Sequence, residues 1–133
     1  METLVDKTYY LIIGSKEYKI SSSENSALEQ MVTAKFPVIG ESNTIKGEIY
    51  FLTTIDIPFD GSQREVFEIG DIVYWRSPNE NIFAIAIFYG NTEHGDGNSP
   101  TAASPCIKLG TVDRDCADLA QVKPGDKITL VCR

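Results

Sequence analysis

The chain has 133 residues, 42% apolar and 23% charged, which fits one globular domain over residues 1–133. Such a composition excludes a disordered tail, a collagen-like repeat and a disulfide-dense miniprotein. Twelve basic against nineteen acidic residues leave a net charge of -7, so phosphate backbones and anionic headgroups are repelled and neither nucleic acid nor membrane is an expected partner.

Residues 1–6 lack the basic-then-apolar pattern of a leader, and the longest apolar run, residues 82–89, is too short to span a bilayer. A cytoplasmic location is therefore the default expectation. Cys106, Cys116 and Cys132 are odd in number, and none belongs to a Cys-x-x-Cys pair. That pattern predicts buried thiols, with neither a disulfide framework nor a zinc ribbon.

Residues 8–13 are rich in β-branched and aromatic side chains, Gly14-Ser15 supplies a turn, and residues 18–20 resume an alternating pattern, predicting an N-terminal hairpin. Ser21 and Glu24 have the spacing of a capping box, and Leu28, Met31, Val32 and Phe36 recur at helical spacing. One amphipathic helix is expected from about Glu24 to Lys35, stopped by Pro37.

From Thr44 onward the pattern is almost entirely strand. Residues 45–53 alternate around Ile49 and Phe51, residues 72–75 follow a Gly70-Asp71 turn, and residues 82–89 form an apolar strand. Residues 90–104, rich in Gly, Asn, Ser and Pro, predict a long loop before a strand at 106–112. A helical turn or two is expected near 117–122, and a closing strand at 127–132 after Gly125-Asp126. The two Gly-Asp turns predict two barrel corners. Many short strands with Gly/Pro punctuation predict a mainly β fold, a closed barrel with one or two short helices. Closure would also remove the open edge on which a long apolar strand aggregates.

The run Gly70-Asp71-Ile72-Val73-Tyr74-Trp75, then Phe88-Tyr89-Gly90-Asn91-Thr92, Ala103-Ser104 and Leu109-Gly110, resembles a family of small prokaryotic cyclophilin-like proteins of unassigned function. The resemblance runs over about residues 45–130 and implies a closed eight-stranded cyclophilin-like β-barrel. It departs from the family pattern at Arg76-Ser77-Pro78 and at Glu93-His94-Gly95. Cyclophilins proper are peptidyl-prolyl isomerases, whose groove uses an arginine, a glutamine and aromatics to hold the proline ring and polarise its amide. Residues 92–97 are similar to the cyclophilin segment Thr-Glu-Trp-Leu-Asp-Gly, which puts His94 at the groove tryptophan and Ala84 and Ala86 at the groove glutamine and phenylalanine. The counterpart of the arginine strand, Glu48-Ile49-Tyr50-Phe51, offers no arginine.

Within residues 82–89 one face carries Ile82, Ala84, Ala86 and Phe88, and the two alanines leave a notch. Dense interior packing predicts that a neighbouring side chain or helix fills it. The functional alternative is a cavity for a small apolar or planar ligand, with Tyr50, Trp75 and Phe88 as walls and Thr92 and His94 at the rim. Trp75, the only tryptophan, is by the same logic either a core plug or a stacking surface. The loop residues Glu93, His94, Asp96 and Asn98 lack metal-ligand spacing and predict a solvated loop. Ser104 has no nucleophile-elbow context.

Together these features predict a module that binds a small molecule or an extended peptide, with no catalytic residue, cofactor or metal. The alternatives are a weak or divergent prolyl isomerase, and a partner subunit of an amide-cleaving enzyme such as an allophanate hydrolase, which would need another chain. A homodimer is compatible with a small barrel, but no interface is legible.

Overall fold

The computed structural model describes residues 8–22, 27–34, 38–59, 61–77, 80–90, 92 and 99–132. The expected hairpin is present as β1 (Tyr9–Ile13) and β2 (Lys16–Ser22), joined at Gly14, whose φ of 60° suits a residue without a Cβ. The helix α1 (Ala27–Ala34) follows and buries Leu28 and Met31 completely. Ser21, the expected cap, lies instead within β2 opposite Thr111, while its box partner Glu24, and Phe36 and Pro37 at the far end, lie outside the described residues, as does the side chain of Val32.

Eight further strands complete the fold: β3 (Val38–Glu41), β4 (Asn43–Ile45), β5 (Glu48–Thr53), β6 (Arg64–Val66), β7 (Asp71–Arg76), β8 (Phe83–Phe88), β9 (Thr101–Val112) and β10 (Lys127–Cys132). A 3-10 turn at Ala117–Gln121 precedes the last of them and buries Leu119. All pairings are antiparallel, in the order β3-β10-β1-β2-β9-β7-β8-β5-β4, with β6 on β9.

Three sequence expectations need correction. The closed eight-stranded barrel is instead an open ten-stranded sheet, because no ladder joins β3 to β4 or β5 among the described residues. The two end strands, β3 and β4, follow one another in the chain through Ser42, and the Phe51 ring of β5 packs so tightly on Gly40 of β3 that an added Cβ would lie 2.4 Å from its Cδ2. Secondly, residues 45–53 are not one strand, since Lys46-Gly47 turns the chain back and makes β4 and β5 a hairpin, with Gly47 at φ 73°. Thirdly, the strand expected from residue 106 starts at Thr101, and the β6–β9 register slips around exposed Pro105, which has no N–H to donate.

The two Gly-Asp turns share one geometry. Glu68 N–H donates to Asp71 Oδ2 at 3.0 Å and Asp71 N–H to Glu68 O at 3.1 Å, with Gly70 at φ 97°. Lys123 and Asp126 repeat both bonds at 3.0 and 3.1 Å, with Gly125 at φ 93°. Positive φ at the third position is the type II requirement that glycine meets without strain.

Both faces of β8 are covered, which explains its unbroken apolar run. Phe83, Ile85 and Ile87 join the main core with Leu11, Tyr18, Ile49, Phe51, Tyr74 and Leu130. On the other face Ala86 and Phe88 belong to a separate cluster with Phe67, Val73, Ala102 and Cys106, flanked by Tyr50 and Trp75. No helix among the described residues is long and apolar enough to cross a membrane.

Candidate functional site

The alternation of a strand, applied across three paired strands, builds a row on the second face. Tyr50 and Leu52 of β5 stand opposite Ala86 and Ala84 of β8, while Val73 and Trp75 of β7 flank the same two alanines from the other side. Cys106 of β9 lies beyond, opposite Trp75. Cross-strand neighbours of this kind are about 5 Å apart at Cβ, so two methyls between larger side chains leave a hollow.

That hollow is open. A cavity of about 330 Å³ lies over Ala84 and Ala86, walled by Tyr50, Leu52, Trp75 and Phe88, with Val73, Ala102 and Cys106 in the lining and Ile45 and Glu48 toward β4. The side chains of β5 and β7 stand at its sides and leave Ala84 and Ala86 only 4% and 5% exposed, so the notch is narrowed by its neighbours while a cavity remains beside it. The volume is at the lower end of the range, roughly 300–1,000 Å³, that small ligands occupy. A second hollow of about 360 Å³, lined by Val38, Ile39, Leu52, Thr53, Ile82 and Phe83 among others, shares Leu52 with it. It has no ionisable side chain in its lining, so it offers less chemistry.

The walls are held from behind. Phe88 stacks on Phe67 with ring centroids 5.5 Å apart and planes 19° apart, and the Arg64 guanidinium lies 5.2 Å from the Phe67 centroid on β6. Trp75 is half-buried, and its indole N–H donates to Ser104 Oγ, which fixes the ring at the cavity wall. Hence Trp75 borders a cavity and does not plug the core.

Two ionisable groups in the lining are displaced by their surroundings. Burial pushes the Glu48 carboxyl up to about 7, with no charged partner to oppose it. Burial also pushes the Cys106 thiol up to about 12, reinforced by the charges of Glu48 and Glu65. A thiol so displaced is a weak nucleophile near neutral pH.

Five of the seven site residues expected from the sequence come together here: Tyr50, Trp75, Ala84, Ala86 and Phe88. Thr92 is not in the cavity lining. It is buried, its Oγ1 accepts from Thr101 N–H at 2.9 Å and donates to Thr101 O at 2.6 Å, and it clasps the start of β9. His94 lies outside the described residues, together with Glu93, Asp96 and Asn98. Glu48 and Cys106 were missed as lining residues, although Glu48 shares the parity of Tyr50 along the same strand.

The sequence profile of the cyclophilin-like family matches residues 7–131. This chain belongs to the cyclophilin-like family. Among solved structures, the solution structure of a hypothetical protein from Archaeoglobus fulgidus is similar to the cyclophilin-like chain with a TM-score of 0.74 and 23% identity. The likeness covers 98% of this chain and 97% of that one, and at such identity it bears on the fold alone. None of the curated proteins matches.

Proposed function

We propose that this cyclophilin-like protein is a binding module that lodges the apolar part of a small molecule over Ala84 and Ala86. The carrying observation is the apolar cavity of about 330 Å³ beside Ala84 and Ala86. Aromatic side chains on two sides suit a planar group, and the β4–β5 hairpin places Glu48 at one end. A prolyl isomerase needs a cationic donor near the amide nitrogen, whereas the ionisable groups in this lining are a carboxyl, a thiol and a phenol.

Trp75 is the chain's only tryptophan and borders the cavity, so its fluorescence reports occupancy. With benzyl alcohol as a neutral planar probe, a saturable change is expected in the wild type. Ala86→Leu, which fills the floor, is expected to weaken it by about tenfold or more. Equal binding by both proteins would overturn the proposal. Cis–trans exchange of an X-Pro test peptide is expected to run at the rate in buffer; clear acceleration would favour the isomerase.

A further inference from the structure

Glu48 presents an unbalanced charge at the edge of an apolar hollow. Its ladder partners are Phe88 on β8 and Ile45 on β4, neither of which can neutralise it. Among the described residues no ion pair or hydrogen bond is formed by its carboxylate. The surrounding charged groups are engaged or directed elsewhere. Lys46, in the adjacent turn, is exposed. Lys108 is 3.2 Å from Asp71, and Arg64 lies over Phe67. Among the described residues the other titratable neighbours, Tyr50 and Cys106 in the lining and Glu65 on β6, bring no positive charge.

We propose that Glu48 sets the specificity of this cavity, and that the ligand is a compact organic cation: a protonated amine or amidine on an apolar body that fills the space over Ala84 and Ala86. The inference rests on the cavity being a ligand site, as proposed above. A half-buried carboxylate beside apolar walls is costly until a counter-charge reaches it, and a ligand cation supplies one with charge-assisted hydrogen bonds. The faces of Tyr50 and Trp75 offer further attraction to the same charge. At longer range the net charge of -7 draws cations in. An anionic ligand would meet repulsion, and a neutral one would leave the carboxylate unpaired. Burial already pushes this carboxyl up to about 7, so a bound cation would drive its proton off and make binding proton-linked near neutral pH.

The test compares benzylamine with benzyl alcohol, matched in size, on the wild type and Glu48→Gln, followed by Trp75 fluorescence and calorimetry at about pH 8 and about pH 5. At the higher pH the wild type is expected to prefer the amine by about tenfold or more, the scale of one charge-assisted hydrogen bond. Glu48→Gln should erase that preference, with the amine bound more weakly than by the wild type. At the lower pH the wild-type preference should collapse. If both probes bind and the preference is the same in the two proteins, Glu48 does not set specificity, although the cavity remains a binding site. If neither probe binds either protein, the cavity proposal falls and this inference with it.

Discussion

Asp71 and Lys108 form an ion pair of 3.2 Å across the β7–β9 ladder, with the aspartate fully buried and the lysine side chain about a third exposed at 31%. The same carboxylate accepts from Thr111 Oγ1 at 2.8 Å and from the Glu68 N–H, so it locks the turn into β7 to the neighbouring strand. Asp71→Ala is expected to destabilise by about 3 kcal/mol, the lower end for breaking a buried pair because Lys108 can rehydrate. Asp126→Ala, in the twin turn, where no ion pair is made to the aspartate among the described residues, should cost about 1 kcal/mol. Urea midpoints at unchanged slope would measure both, and equal losses would refute the difference in role.

Glu48 should make the protein less stable as pH rises. Its folded value of about 7 lies above the value near 4.5 that it has when exposed, so between the two the folded state binds more protons than the unfolded one. The penalty is absent below the unfolded value and complete above the folded one, reaching at most about 3 kcal/mol. Glu48→Gln is therefore expected to gain stability over the wild type at about pH 8, and to lose that advantage at about pH 5. A difference between the two proteins that does not change with pH would contradict this.

Asp118 acts in the opposite direction at lower pH. Desolvation raises its carboxyl, but the hydrogen bond from Tyr18 at 2.9 Å and the charges of Lys16 and Arg114 outweigh this and hold it below the usual aspartate range. Its contribution is present above the unfolded pKa and disappears as pH falls through the folded one. Asp118→Asn should lower stability near neutral pH and converge with the wild type as pH falls, which flattens the acid limb; a difference that stays the same across the acid range would show the cluster to be inert.

Gly110 leaves no room for a side chain, since an added Cβ would sit 2.5 Å from Ser21 O and 2.7 Å from Ile20 Cγ2. Gly110→Ala should therefore lower stability by about 1–3 kcal/mol, because β2 would have to shift. By contrast Gly90→Ala meets only Gly47 Cα at 3.7 Å and should be close to neutral. Thermal midpoints of the two variants check the contrast.

Of the three thiols, Cys106 and Cys116 are buried while Cys132 is half-buried. Burial raises both of the first two, so an aromatic disulfide reagent near neutral pH should show one fast thiol, removed by Cys132→Ser, and two slow ones. Three equal rates would contradict the burial pattern.

What the sequence made legible were features set by local pattern: the N-terminal hairpin, the helix around Leu28 and Met31, and the division of β8 into two faces. The Gly-Asp turns were readable because glycine at positive φ and an aspartate cap are local chemistry. The turn at Lys46-Gly47 was hidden, since Ile45, Ile49 and Phe51 keep an odd-numbered alternation that passes through it. β6 escaped because all three of its residues are exposed and carry no burial pattern. Closure of the barrel was misjudged because the pairing of distant strands is a long-range property that no local pattern along β3, β4 or β5 carries. Parity within the strand at 82–89 named Ala84, Ala86 and Phe88, and Tyr50 and Trp75 were added as aromatic walls. Glu48 was passed over although it shares the parity of Tyr50, because a charged side chain gives no sign of facing an apolar hollow until β5 is set beside β8.

Phe51 against Gly40 also gives the molecule a seam. Among the described residues no backbone ladder crosses from β3 to β5, so side-chain packing is the contact along that line, while Ser42 keeps β3 and β4 continuous and is tied by backbone hydrogen bonds to Gly125 and Asp126. Leu52, the next residue along, lines the cavity and is more than half exposed, so this is the side on which a guest bulkier than the resting hollow meets the least packing.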